Sequence, residues 1–519
     1  VNHATIVPIV LPALTAALML LDRRLSTQRT LAWLSTALLA GCTAWMVGLA
    51  ADGWRGLYLV GNWAAPWGIV LVADRLSALM LALTAVLALV ALAAAQRGWD
   101  ERGTHFHPLF QIQLMGVNGA FLTGDLFNLF VFFEVLLIAS YGLLVHGDGA
   151  QRIGAGLRFV TLNLVGSAVF LLAIGVLYGT TGTLNLADLS LRIADLDPRG
   201  ATLARGGAWL LLAVFCMKAA LLPLCFWLPG TYAAASPPVA ALFAVMTKVG
   251  VYAVLRVFTL VFGSDAGLLA DVAFPWIAGL AAAGYALATL GCLAGRDLRA
   301  LAAMLVVASA AFLLMGVGLA NERSIAAAVY YLPHTTLSAA ALFLVADLIA
   351  RGRGAAADRI VAGPAPLRAG LLGLLFLATA TSIAGLPPLA GFIGKAMLLA
   401  SMLPVDASDA PRAAVPWLWA CVLAGSLLSL IALARAGSRV FWKSEGTDPD
   451  RARAASLGDV MPVIAALAAI ATLAVAAAPM QRYALATARD LLDPAESVDA
   501  VLRVAPRAGP HQPSPKAVR

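Results

Sequence analysis

Charge is scarce in this chain, and so is usable cysteine. Of 519 residues only 12% are Asp, Glu, Lys or Arg, while 61% are hydrophobic. Soluble domains carry about twice that share of charge, so an ordinary water-soluble fold is excluded. The five cysteines (Cys42, Cys216, Cys225, Cys292 and Cys421) all lie inside apolar runs, with no C-x-x-C and no histidine at ligand spacing. They read as small core residues, which leaves haem, iron–sulfur and zinc sites without support, and no cofactor is expected. The net charge is +8, but no basic stripe with interleaved aromatics accompanies it, so nucleic acid is not an expected partner. The arginines fall between apolar runs, and their excess reads as membrane topology. No basic region precedes the first apolar run, Thr5 to Leu21, and Asp22-Arg23-Arg24 follows it. It is therefore expected to be a retained helix and not a cleaved leader.

What the chain has in abundance is membrane-length apolar sequence. Stretches of about 20 residues fall near 4–21, 31–50, 75–95, 108–124, 126–146, 158–178, 207–228, 236–262, 272–294, 299–320, 325–350, 370–402, 416–436 and 460–479. The expected fold is an all-α polytopic membrane protein with about fourteen spans. Arg and Lys cluster in alternate connections: Arg23, Arg24 and Arg29; Arg97 and Arg102; Arg152 and Arg158; Arg296 and Arg299; Arg351, Arg353, Arg359 and Arg368; then Arg435, Arg439, Lys443, Arg451 and Arg453. The intervening ones, such as Gly263 to Asp271 and Val405 to Asp409, are sparse or acidic. The positive-inside rule then puts both termini outside the cytoplasm. The Leu184–Arg205 segment reads as a neutral loop, and the tail from Pro506 as disordered.

Four charges interrupt this pattern from within. Glu134 sits in FNLFVFFEVLLI, Lys218 in AVFCMKAALLPL, Lys248 in LFAVMTKVGVYAVL and Lys395 in LAGFIGKAMLLA. At roughly 2.5 to 3.5 kcal/mol each, four such groups cost about 10 kcal/mol on insertion. Groups this expensive pair with one another, line a wet path, or both, and they are the first candidates for an ion or proton pathway. A lysine in a low-dielectric site next to a carboxylate is a switch, because making or breaking the pair moves a proton on or off. His334, between Lys248 and Lys395 in span order, is a candidate relay, set against the plainer reading of a packing histidine. Asp74, Asp125 and Asp347 lie at span ends, where capping or snorkelling explains them. Arg256 and Glu322 read as boundary groups.

Two spans are broken in matching fashion. One runs from Lys218 through Pro223 to Pro229-Gly230, and the other from Ala384-Gly385 through Pro387-Pro388 to Lys395. Proline frees carbonyls, which is tolerated at membrane depth only where protein or water satisfies them. The first break is in the fourth helix of the group at 108–262, the second in the fourth of the group at 272–442. Each group has five helices, an odd number, so the two are expected to be inverted repeats with broken helices at the binding path. Around them the chain divides into an N-terminal three-helix segment (1–100) and a last span with its tail (455–519).

These residues carry a resemblance. TGDLFNLFVFFEVLLIASY, FCMKAALLPLCFWLPGTYAAASPPVAALFAVMTKVGVYAVLR and GLPPLAGFIGKAML resemble the antiporter-like subunits shared by respiratory complex I, membrane-bound hydrogenases and Mrp-type cation/proton antiporters. The likeness spans roughly Asp74 to Trp442, and FNLFVFFEVLLIASY is most similar to the D-type subunits of Mrp (Mnh, Pha) complexes. The resemblance implies that Glu134 and Lys218 form a switchable ion pair, and that Lys218, Lys248 and Lys395 pass protons along a hydrated midplane chain. Several complex I relatives carry a lysine four residues after the histidine, where this chain has Ser338. That departure favours an Mrp-type subunit and leaves a gap for water to bridge.

Three functions compete. The leading one is a proton-translocating subunit of a multisubunit antiporter for Na⁺ or another monovalent cation, a transporter subunit in the bacterial inner membrane with other subunits and lipid as partners. The second is a proton-pumping membrane subunit of complex I or a hydrogenase, with the redox chemistry in other chains. A purely structural scaffold fits least, because buried ion pairs stabilise less well than packed apolar residues.

Overall fold

A single segment satisfies its backbone inside lipid by forming a helix, and the apolar runs do so. The computed structural model describes residues 2–147, 149–403, 415–443 and 453–506. In chain order the helices are α1 (Val7–Leu21), α2 (Leu25–Ala51), α3 (Arg75–Ala95), α4 (Phe106–Leu122), α5 (Leu126–Val145), α6 (Ala150–Thr181), α7 (Leu186–Ala194), α8 (Pro198–Lys218), α9 (Trp227–Ala234), α10 (Pro237–Phe243), α11 (Met246–Leu260), α12 (Phe274–Ala294), α13 (Leu298–Gly318), α14 (Glu322–Gly352), α15 (Ala369–Ala384), α16 (Ala390–Ser401), α17 (Val415–Gly437), α18 (Leu457–Val475), α19 (Ala477–Leu492) and α20 (Ala495–Arg503). Among the described residues twelve helical stretches are long and apolar enough to cross a membrane. The two further expected spans correspond to α4, with 17 residues, and to the α15–α16 pair, 16 and 12 residues flanking a break. The molecule is an all-α polytopic membrane protein.

Burial sorts these helices into a centre and a rim. The apolar windows of α3, α10–α11, α13 and α14 are largely or wholly buried, whereas α1, α2, α6, α12, α17 and α18 leave most of theirs uncovered. Helices that are apolar all round belong inside other protein, and rim helices turn residues such as Leu164, Leu172, Leu287 and Trp417 outward, as lipid-facing surfaces do. Helix α14 is the hub: it packs against α3, α10, α13, α15, α16, α18 and α19. Both lysine-bearing breaks therefore lie against or beside this buried centre.

Several elements differ from the sequence reading. The Leu184–Arg205 segment is not a loop: it holds α7 and the first turns of α8. The Asn185 side chain accepts from Ala187 N and Asp188 N, and Asp197 accepts from Gly200 N ahead of Pro198, so ordinary capping starts both helices. A window of membrane length averages over a nine-residue amphipathic helix and misses it. A window of membrane length likewise passes over α19 and α20, one-sided helices that follow α18 in 455–519, although their apolar residues recur at helical spacing. Between α2 and α3 a short antiparallel hairpin pairs β1 (Gly56–Leu59) with β2 (Val70–Ala73). Residues 507–519 and the Val405–Asp409 connection lie outside the described residues.

The acidic boundary groups have specific partners. Asp74 caps α3 through Ser77 N at 2.9 Å, and Asp125 caps α5 through Asn128 N at 2.8 Å. Arg256 grips Asp74 with two hydrogen bonds of 2.6 and 2.8 Å. Asp347 pairs with Arg351 one turn on, and Glu322 with Arg489 at 2.8 Å.

Candidate functional site

Helix α8 ends at Lys218, and the chain turns through Ala219 to Phe226, with Pro223 in the turn, before α9 resumes. The freed carbonyls find donors locally. Met217 O accepts from Ala220 N at 3.0 Å and from the Trp227 indole Nε1 at 2.9 Å, and Cys216 O accepts from Leu221 N at 2.8 Å. Trp227 also stacks on Phe159 of α6, with ring centroids 5.2 Å apart. With the backbone so served, the Lys218 ammonium points elsewhere: it donates to Asn163 Oδ1 at 3.2 Å and stands 5.9 Å over the Phe133 ring. Lys218 is 5% exposed.

Glu134 is half-buried on α5. It does not pair directly with Lys218. Its Oε1 accepts a hydrogen bond from Ser167 Oγ, and Ser167 lies one turn after Asn163 on α6. The acid and the base thus each bond a neutral residue of α6, Glu134 to Ser167 and Lys218 to Asn163, and Ser167 Oγ in turn lies 3.0 Å from the Asn163 backbone carbonyl oxygen. Sequence reasoning passes over both, although Asn163 and Ser167 stand four apart in VTLNLVGSAVF.

Lys248 is fully buried near the start of α11. The helical turn before it is tightened: Ala244 N, Val245 N and Lys248 N all donate three residues back. The ammonium donates to Ser309 Oγ of α13 at 2.9 Å and to Thr247 Oγ1 at 3.3 Å. Helix α11 also touches the first break. A Cβ on Gly250 would fall 2.4 Å from Ala219 N, so only glycine lets the two backbones approach.

Ser309 opens onto a cavity of about 30 Å³, lined also by His334, Ser338, Lys395, Tyr285 and Tyr331. That is enough room for about one water molecule. Both ring nitrogens of His334 and the Ser338 hydroxyl are buried without a protein partner, and a polar, roomy site of this kind is where bridging water sits. On its far side Lys395, on α16, reaches back across the second break, past Pro387 and Pro388. Its Nζ donates to Ala384 O at 2.8 Å and Ile383 O at 3.3 Å, the carbonyls that end α15. The negative pole of a helix C-terminus is a favourable place for an ammonium.

Of the five charged or titratable candidates, Lys248, His334 and Lys395 are brought around one cavity through Ser309. Glu134 and Lys218 are joined through Asn163 and Ser167, and the two groups meet where α11 crosses the first break. No group of three or more metal-ligating side chains occurs among the described residues.

Membrane-length helices, two of them broken beside a buried lysine, make the chain a multi-span membrane protein with broken helices, an arrangement many transporters use to build ion and substrate sites. Residues 123–415, more than half the chain, match the family model described as NADH:quinone oxidoreductase/Mrp antiporter, TM, and the chain belongs to that family. It is 42% identical, over 98% of its length and 99% of the relative's, to the D-type subunit of a probable K(+)/H(+) antiporter of Rhizobium meliloti (strain 1021). It is 35% identical, over 97% and 100%, to the D-type subunit of the Na(+)/H(+) antiporter of Alkalihalophilus pseudofirmus. A chain in the structure of the Mrp complex from Dietzia sp. superposes with a TM-score of 0.86 at 26% identity, covering 97% of this chain and 100% of that one.

Proposed function

We propose that this chain is the proton-translocating subunit of a multisubunit monovalent cation/proton antiporter in the bacterial cell membrane. Protons move along Glu134, Lys218, Lys248, His334 and Lys395, and their flow is coupled to export of Na⁺ or K⁺, the cations in the relatives' names. The observation that carries this reading is the convergence of Lys248, through Ser309, with His334 and Lys395 on one water-sized cavity beside the second helix break. A scaffold has no use for two basic groups on a water-sized cavity and a third one serine behind it. In this reading the helices of 108–262 and 272–442 are inverted repeats that set the two breaks on either side of that path. Other antiporter subunits complete the assembly, and the chain is a transporter subunit and not an enzyme.

The test is Glu134→Gln in the assembled complex, assayed in inverted vesicles by cation-induced collapse of a pH gradient, with assembly checked on a native gel. Antiport is expected to vanish while assembly persists, and Glu134→Asp to retain part of it. Wild-type antiport in assembled Glu134→Gln overturns the reading. Running the assay with Na⁺ and K⁺ in turn identifies the cation, and activity that needs a redox donor instead favours the complex I-type alternative.

The arginine distribution supports an orientation with both termini outside the cytoplasm. Asp265 and Arg296 are exposed at opposite ends of α12. A cysteine at 265 is expected to react with an impermeant thiol reagent from outside, one at 296 only from the cytoplasm. The reverse pattern inverts the topology.

A further inference from the structure

Asn163 and Ser167 are 2% and 6% exposed on a helix whose outer face is apolar. Helix α6 packs against α5, which carries Glu134, and against α8, which ends in Lys218. Burying an amide at such a place is costly unless it is bonded. Asn163 is bonded at both ends: Nδ2 donates to Phe159 O at 2.9 Å, and Oδ1 accepts from Lys218. Since Nδ2 is spoken for, the oxygen is the end that faces the ammonium.

Ser167 poses a hydrogen-counting problem with a mechanical answer. Its Oγ lies within bonding distance of two acceptors, Glu134 Oε1 and, at 3.0 Å, Asn163 O. A hydroxyl has one hydrogen. With Glu134 ionised, that hydrogen goes to the carboxylate and the Asn163 carbonyl keeps only its helical N–H donor. With Glu134 protonated, the carboxyl donates to Oγ, and the hydroxyl turns to Asn163 O, the ordinary bond of a helical serine. The direction of the Ser167 hydroxyl therefore reports the proton on Glu134, and it reports to the residue that holds Lys218.

We infer that Asn163 and Ser167 are positioning residues for the proposed proton exchange, a latch on α6 that holds Glu134 and Lys218 apart and ties release of one to the proton on the other. Direct pairing requires Lys218 to leave Asn163 and Glu134 to leave Ser167. The latch keeps an ion pair that would otherwise close and stay closed in an open, responsive state. This inference rests on the reading that Glu134 and Lys218 exchange protons during antiport.

The experiment is the pH profile of antiport in assembled complexes carrying Ser167→Ala, Ser167→Thr, Asn163→Ala or Asn163→Asp. Ser167→Ala removes a donor to the ionised carboxylate, and the acid limb of the profile is expected to move to higher pH by about half a unit or more. Ser167→Thr keeps the hydroxyl and restores the limb. Asn163→Ala removes the acceptor of the ammonium, and the alkaline limb moves to lower pH. Asn163→Asp gives Lys218 a permanent partner, and antiport falls by about tenfold or more. Unmoved limbs in assembled Ser167→Ala and Asn163→Ala overturn the latch. Should Asn163→Ala not assemble, Ser167→Ala, which deletes a single oxygen, decides alone. If Glu134→Gln is inactive while these profiles are native, only the latch fails; if Glu134→Gln is fully active, the reading beneath it fails.

Discussion

At the first break Lys218 is the last residue of α8 and reaches away from the carbonyls freed there, which Trp227 and nearby amides serve; at the second, Lys395 sits inside α16 and itself serves the carbonyls of Ile383 and Ala384. The turn residue differs as well. The left-handed position after the helix is Ala220 (φ 57) in one and Gly385 (φ 78) in the other. The two lysines therefore have different mechanical freedom. Lys218 can change partners without cost to the backbone, as a switch must. Lys395 is part of the fold, so on the proposed path a change in its charge would be felt by the end of α15.

The largest expected effect tests that division. Lys395→Ala and Lys218→Ala are both expected to reduce antiport to background. They part in stability. Lys395→Ala leaves two carbonyls at the break short of a donor, at about 1–3 kcal/mol per buried group, whereas Lys218→Ala strands only the Asn163 amide oxygen. Thermal unfolding of the purified complexes is expected to show a larger drop in Tm for Lys395→Ala. An equal or larger drop for Lys218→Ala breaks the comparison.

His334 offers a second, smaller contrast. The cavity beside it is water-sized and its ring nitrogens have no protein partner, so on the proposed path water is expected to take over part of its role when the ring is removed. His334→Ala is expected to lower antiport several-fold, and His334→Phe to abolish it by filling the space with an apolar ring. Proton flux in inverted vesicles distinguishes them. If His334→Phe is as active as His334→Ala, the cavity is not on the path.

How much of this is legible in the sequence follows from what each residue costs. An ionised group in an apolar run is expensive wherever it occurs, so Glu134, Lys218, Lys248 and Lys395 announce themselves, and the prolines mark both breaks. Membrane-length helices are legible for the same reason, since hydropathy over 20 residues is a strong signal. Asn163, Ser167 and Ser309 are not. Neutral polar side chains are common in membrane helices and satisfy themselves on their own backbone, as Thr336 and Thr379 do four residues back, so nothing in the sequence separates a latch from a self-bonded residue. Nor can the sequence say that Glu134 and Lys218 meet through α6, because that depends on how α5, α6 and α8 pack. Helices α7, α19 and α20 escape because an amphipathic helix averages to neutral in a window sized for a membrane.

The smallest expected effect lies at the turn residues. Holding alanine in the left-handed region costs roughly 1–2 kcal/mol, while glycine costs about 0.4–1 kcal/mol through the extra freedom of the unfolded chain. Ala220 is fully buried, so the change also forfeits about 0.8 kcal/mol of methyl burial; Ala220→Gly is therefore expected to leave stability within about 1 kcal/mol of wild type, with antiport unchanged because Lys218 does not depend on the turn. The converse change is not its mirror image. A Cβ on Gly385 would lie 3.0 Å from Lys395 Cδ and 3.1 Å from Nζ, so Gly385→Ala adds left-handed strain and pushes the ammonium off the carbonyls it caps. Both stability and antiport are expected to fall. Parallel Tm and flux measurements on the two variants decide the point, and a Tm for Ala220→Gly as low as that of Gly385→Ala would mean that the two turns bear their lysines in the same way after all.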